Sequence, residues 1–263
     1  MTNLRNRKLQ IQNAQHKGSN LWSKFGINNP ASLNLKDIAY ALGVHILEGC
    51  LQCGDAYLIR KGNKGLIRLS NSISNRGRRR FAIAHELGHW ELHIMHSQIF
   101  VCTEEDMIPS YQSSTLETEA NSFASGLLMP DEFFRKSMEW PPNINNLQNL
   151  ADDYDTSLTA TALRYVELAN DYCAVISSTK GIIRWWKVSP DWEKKLWLNC
   201  GSQIPHNSYA HDLCGESEYS IKSGVTDLST WFEVKDTDLS QEIIEESVYF
   251  PNYNQILSLI WLC

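Results

Sequence analysis

The tightest constraint on this chain is the run FAIAHELGHWELHIMH, residues 81–96, which holds four of its eight histidines and two glutamates. Placed on a helix over residues 80–96, at about 100° per residue, Ile83, Leu87, Trp90 and Ile94 recur at i, i+4, i+7 and i+11 and form one apolar stripe. His85 and His89 fall away from that stripe, about 6 Å apart along the axis. The helix is therefore expected to pack by one face and to present paired imidazoles on the other, where both reach a single ion without distorting the backbone. Glu86, one position round, stands beside the ion without binding it. This is the His-Glu-x-x-His arrangement. Zinc held by two histidines and a third protein ligand keeps an open position, where a bound water has its pKa lowered to about 7. Glu86 is placed to take that proton and pass it to a leaving amine. His93 lies about 12 Å along the axis from His85, too far to share the ion on a continuous helix. It is read as a supporting or packing residue, and His96 as a residue of the helix end.

A third ligand is needed, and a second helix, TLETEANSFASGLLM, offers Glu117 and Glu119 before Pro130 stops it. Its apolar face carries Leu116, Ala120, Phe123, Leu127 and Leu128, and the two glutamates flank that face on opposite sides. Periodicity does not choose between them. Ser122 and Gly126 share the flank of Glu119 and allow another helix to come close, which favours Glu119. For either glutamate the ordinary alternative is a solvated helix flank.

RRRFAIAHELGHWELH, followed about thirty residues later by ETEANSFASGLLMP, closely resembles the ImmA/IrrE family of zinc metallopeptidases. LKDIAYALGVHI, the strand-like GLIRLS and His93 also match the family pattern, so the resemblance spans residues 31–170. It implies Glu119, the glutamate directly before Ala-Asn, as the third ligand. It also implies an α+β, gluzincin-like metallopeptidase domain in which a small twisted sheet covers the metal-binding helix, with Zn2+ as cofactor and Mn2+ as the second candidate. The expected activity is that of a metalloendopeptidase. Its expected protein substrate is a helix-turn-helix transcriptional repressor, cut to relieve repression in a bacterial stress or mobile-element response. The competing reading is a non-catalytic, metal-stabilised regulatory protein that binds a repressor or toxin partner.

In zincins an extended peptide often pairs with a sheet edge, and GLIRLSN, with Ile67 and Leu69, is the candidate substrate strand. His93 and Tyr111 are candidates for stabilising the oxyanion. Arg78, Arg79 and Arg80 stand at a helix N-terminus that does not favour cations; they either attract an acidic partner or form a solvated turn.

The 263 residues are enough for one large or two modest domains. Residues 1–30 read as a solvated tail, 31–140 as the metallopeptidase domain, and 141–170 as a helix-turn-helix-like helical unit. Residues 171–263 resemble, more loosely, the GAF-like sensor region of IrrE-type proteins through AVISSTKGIIRWW, SGVTDLSTWFEVKD and NQILSLIWLC. Within these, residues 31–49 read as a helix, and AYLIR with GLIRLSN as a hairpin around KGNKG. A second hairpin is expected around Thr179-Lys180-Gly181.

The net charge of −6 excludes a chain-wide polyanion binder. In LQNLADDYDTSLTATALRYVEL the second helix carries only Arg164 as a base, while Asp152, Asp153 and Asp155 crowd the first helix and turn, which argues against direct DNA binding. No stretch approaches the ~20 apolar residues of a membrane span. Seven cysteines, an odd number, and no secretory leader point to reduced thiols and a cytoplasmic protein. Cys50 and Cys53 make one CxxC without a second pair, a poor zinc signal by itself.

Overall fold

The computed structural model describes residues 2–51, 54–94, 99–102, 114–234 and 241–263. Tyr111, His96 and Cys53 lie outside them. The chain is a mixed α+β protein of two compact units: Met1–Ser137 with Ala151–Ser157, and Met138–Leu150 with Leu158–Cys263.

The first unit begins with α1 (Thr2–Phe25), a helix where a tail was expected. The segment is polar on average, but Ala14, Leu21 and Trp22 are all buried. They line one side of the helix, together with Gly18. After α2 (Leu35–Ala41), capped by the Asn34 side chain, the chain turns at Gly43 into β1 (Val44–Gly49). The helix expected over 31–49 is therefore a short helix and a strand. Gly43, at φ +81°, takes a backbone conformation that ends the helix and that other residues rarely adopt.

β2 (Ala56–Lys61) and β3 (Lys64–Ser70) form the expected hairpin, with Gly62 at φ +60° in its turn. The sheet order is β1-β3-β2-β4, where β4 is Ile99–Cys102; β1 runs parallel to β3, and the other pairs are antiparallel. β3 is thus an interior strand. Ile67 and Leu69 are fully buried, and the backbone of β3 is paired on both sides. The expectation that Ile67 and Leu69 mark a substrate-pairing edge is corrected on this ground: an added peptide has no free main-chain groups to meet there.

Helix α3 (Arg76–Leu92) packs against β2, β3 and α4 (Thr115–Leu128), and α1 lies along α4. Two close approaches set these spacings. A Cβ on Gly18 of α1 would overlap the Phe123 carbonyl, and one on Gly126 of α4 would overlap the Gln15 carbonyl, so α1 and α4 meet backbone to backbone. Gly88 of α3 likewise sits against the backbone of Ala120. On the sheet side, Trp90 occupies the space over Gly65, and the Arg60 guanidinium stacks on the Trp90 ring 3.7 Å from its centre.

Arg78, Arg79 and Arg80, in the first turns of α3, each have a carboxylate partner in the same unit. Arg78 donates from Nε and Nη2 to Asp55 at 2.9 and 2.6 Å, Arg79 pairs with Glu48 at 2.5 Å, and Arg80 with Asp155 at 3.4 Å. They brace the helix start against its own unit and do not stand as a solvated turn. α5 (Asp131–Ser137) closes this part of the chain.

The predicted helical pair is α6 (Ile144–Tyr154) and α7 (Leu158–Leu168), with its tip, residues 151–157, in the first unit and the remainder in the second. The chain thus first passes between the compact units at residue 138, and residues 151–157 return to the first. The second unit is built on a sheet ordered β6-β5-β11-β10-β8, antiparallel throughout. Its strands are β5 (Cys173–Thr179), β6 (Ile182–Val188), β8 (Ser220–Asp227), β10 (Glu242–Phe250) and β11 (Gln255–Leu262). β7 (Leu196–Trp197) and β9 (Glu233–Val234) pair separately, and α8 (Leu228–Trp231) follows β8. Lys180 and Gly181, at φ 54° and 74°, form the expected turn of the β5–β6 hairpin.

One face of this sheet packs Ile176, Ile183, Ile243 and Ile260 against Trp192, Trp231 and Phe232. These aromatics belong to the core of the unit. Glu245 is fully buried there and accepts hydrogen bonds from Ala210 N, Trp231 Nε1 and the Ser247 hydroxyl, at 2.7, 2.8 and 2.9 Å. Glu246 accepts from Ile144 N at 2.6 Å and so caps α6. Arg164 is buried and paired with Glu167, which removes the single base that a DNA-reading surface on α7 would have used.

Candidate metal centre

The Asn75 side chain caps α3 by accepting from Arg78 N at 2.8 Å, and the helix then runs unbroken to Leu92. The four-residue spacing puts His85 and His89 on one side of it. That side is not solvated, because α4 covers it, and His85, Glu86 and His89 are all 0% exposed. Ser114 caps α4 by accepting from Glu117 N at 3.2 Å, which sets Glu117 in the first turn facing α3. One turn on, Asn121 faces His85.

His85 Nε2 and His89 Nε2 are 3.1 Å apart, and Glu117 Oε2 lies 3.0 Å from the first and 3.3 Å from the second. These three atoms form the one group of convergent metal donors among the described residues. Glu119, expected as the third ligand, is not in it; its Oε2 lies 3.0 Å from His93 Nε2. The reason lies in which neighbour each flank of α4 meets. The flank with Ser122 and Gly126 does receive a helix, but that helix is α1, whereas Glu117 and Asn121 face α3. Glu117 and Asn121, at i and i+4 on one side of α4, were the usable signal for Glu117.

The donor set suits a divalent ion. Tetrahedral zinc with bonds of ~2.0 Å holds neighbouring donors ~3.3 Å apart, close to the three edges found here. Hydrogen-bond directions agree. His85 Nδ1 lies 2.8 Å from Asn121 Oδ1 and donates to it, which in the neutral ring leaves Nε2 as a lone pair facing the other donors. Two imidazoles and one carboxylate suit zinc better than the harder, oxygen-preferring ions.

The electrostatics are those of a site that must choose between a proton and a cation. Burial drives the His89 pKa down to about 4, with Glu117 only partly offsetting it. Burial also opposes charge on His85, but hydrogen bonding to Glu117 and the nearby Glu86 and Glu117 charges outweigh it and raise its pKa. Glu117 has burial working against its charge, yet the two histidines hold its pKa down to about 2. The His85 ring therefore takes up a proton beside Glu117 more readily than a free imidazole does, and a cation there would compete with that proton. Glu86 is not a donor, and its charge acts on His85 from within the same buried pocket. His93 directs Nδ1 at His89 Nδ1, 2.9 Å away, and is itself buried.

A search of curated proteins gave no match. Among solved structures, a Mycobacterium tuberculosis transcriptional regulator is similar with a TM-score of 0.60 and 13% identity, covering 95% of this chain and 88% of that one. At that identity the likeness is one of fold. Residues 40–165 match the model of the M78 peptidase family, described as the IrrE N-terminal-like domain, and this span includes both α3 and α4 with all three donors and Glu86. Residues 40–165, which carry the three donors and Glu86, are thus similar to the IrrE N-terminal-like domain of the M78 peptidases.

Proposed function

We propose that the chain is a zinc-dependent endopeptidase that cuts a helix-turn-helix transcriptional repressor and thereby relieves repression in a bacterial stress or mobile-element response. The convergence of His85, His89 and Glu117, with Glu86 buried on the same helix, is the observation that carries the reading. The peptidase family supports the reaction class. The resemblance described above supplies the substrate class, and a neighbour titled a transcriptional regulator is in keeping with a regulatory role.

His85, His89 and Glu117 would hold the ion, which when bound supplies a Lewis acid for the scissile carbonyl and for water. Glu86 acts as the general base and then the general acid. One carboxylate oxygen takes the proton of the attacking water and delivers it to the nitrogen of the leaving amine. Its burial keeps that carboxylate away from bulk solvent, and the His85–Asn121 bond keeps the His85 ring from turning. A peptide that joins the sheet by main-chain pairing would do so at an outer strand, β1 or β4. Residues 171–263 are read as a GAF-like sensing or recruiting region, on the support of one antiparallel sheet with a covered aromatic core. The free cysteines among the described residues favour a reducing, cytoplasmic setting. No helix among the described residues is long and apolar enough to cross a membrane.

The complete burial of both histidines also suits a metal that only stabilises a regulatory protein, since structural sites are closed ones. One assay separates the readings. Purified protein with zinc, or with manganese, is incubated with the repressor encoded beside its gene, and fragment masses are compared for wild type and Glu86→Gln. Cleavage by wild type alone, with zinc retained in both, is expected. A zinc-loaded Glu86→Gln protein that still cuts would defeat the proposal, and binding without cleavage by wild type would favour the stabilising role.

A further inference from the structure

Beside the three donors, α3 and α4 bring a second polar pair together. His93 follows the last helical residue of α3, and at φ −116° and ψ 42° its backbone has left the helical conformation. The ring is buried, with Nδ1 2.9 Å from His89 Nδ1 and Nε2 3.0 Å from Glu119 Oε2. The two imidazole rings also touch, with centroids 5.0 Å apart and planes inclined at 54°.

Counting protons orders this chain. The Glu119 carboxylate only accepts, so His93 Nε2 carries the hydrogen. A neutral imidazole has one N–H, so His93 Nδ1 is a lone pair and the atom opposite it, His89 Nδ1, must donate. His89 then has its own lone pair on Nε2, the atom that faces His85 and Glu117. A packing role alone would need none of this: an apolar ring of the same size fills space without selecting a tautomer.

The geometry points to Glu119 and His93 as positioning residues that lock His89 in its Nδ1–H tautomer and aim its Nε2 lone pair at the metal position. The inference rests on the reading of the three donors as a metal site. Asn121 does the same for His85 with a neutral amide. His89 instead has an anion at the far end of its chain, which makes its ring the more electron-rich donor of the two.

The test uses the full-length protein with zinc as the probe. Affinity is measured by competition with a chromophoric chelator for wild type, His93→Leu, Glu119→Leu and His93→Asn. Imidazole nitrogen shifts are recorded on metal-free, 15N-histidine-labelled wild type and His93→Asn. Loss of such a supporting partner typically weakens metal binding about 10–100-fold, and this is expected for both leucine variants. His93→Asn places Oδ1 where Nδ1 stood and should recover most of the loss. In wild type the His89 spectrum should show a protonated Nδ1 and a bare Nε2. Unchanged affinity in both leucine variants, or a His89 protonated on Nε2 in wild type, would overturn the inference. Where a leucine variant does not fold, the wild-type and asparagine spectra decide it. Failure of wild type to bind zinc would sink the metal reading instead, and the nitrogen spectrum would still report on the tautomer.

Discussion

Gly88 faces Ala120 so closely that a Cβ placed on it would stand 3.0 Å from both the Cα and the carbonyl oxygen of Ala120. This contact sets the distance between α3 and α4, and with it the distance from His85 and His89 to Glu117. Gly88→Ala should therefore do more than a helix-favouring exchange normally does. Overpacking costs about 1–3 kcal/mol in a tight interface, and separation of the helices should also weaken zinc binding. Thermal unfolding with and without zinc checks this: the variant should lose a larger part of its melting temperature in the presence of zinc than in its absence.

Glu117 and Glu119 should be separable by metal content. Glu117→Gln removes the charged donor and is expected to abolish stoichiometric zinc after dialysis. Glu119→Gln keeps an oxygen that accepts from His93 and should retain zinc. Metal analysis of the two purified variants settles the assignment, and the reverse pattern would restore the expectation drawn from the sequence.

Acid should destabilise the metal-free protein in a defined window. His89 has a folded pKa of about 4 against 6.5 for an ordinary histidine, so the unfolded chain takes up the proton first. The stability tied to its neutral form is present above pH 6.5 and is lost as pH falls towards 4, by about 3 kcal/mol in all. Glu117, with a pKa of about 2, adds a further loss below pH 4.5. His85, with its raised pKa, acts oppositely: its contribution is complete below pH 6.5 and fades as pH rises through its folded value. Urea midpoints measured in EDTA from pH 7.5 to 4 should fall, and the fall should flatten in His89→Gln. A midpoint that stays level in wild type would contradict the account.

In the second unit, Glu245 ties Ala210, Trp231 and Ser247 to the sheet. Glu245→Leu strands those donors in an apolar core and should cost about 3 kcal/mol or more. Glu245→Gln keeps an acceptor and should cost less. Chemical denaturation measures both, and zinc stoichiometry should not change, because the donors lie in the other unit.

The parts of this molecule that were legible in the sequence are those governed by local periodicity. The four-residue step from His85 to His89 places both on one side of a helix whatever surrounds it, and the Gly62 and Lys180-Gly181 turns define their hairpins in the same local way. The errors concern partners distant in sequence. Glu119 was preferred over Glu117 because a small-residue flank promised a neighbouring helix, and it has one; α1 came from a segment read as tail, since few buried side chains serve a helix that docks through glycines. Ile67 and Leu69 alternate as an edge strand would, but hairpin pattern says nothing of β1, which closes the far side of β3. Over residues 31–49 the apolar spacing runs through Gly43 and so suggests one helix, but the backbone conformation of Gly43 breaks it.

The pocket between α3 and α4 also has a charge account of its own. Two uncharged rings and a single anion leave a divalent guest with one surplus positive unit, and the residue that neutralises it is Glu86, which is not among the donors. Electroneutrality would thus fall to the residue proposed as the general base. An amide at that position would leave a cationic hollow, so a zinc-loaded Glu86→Gln protein should hold small anions such as acetate more tightly than the wild type does.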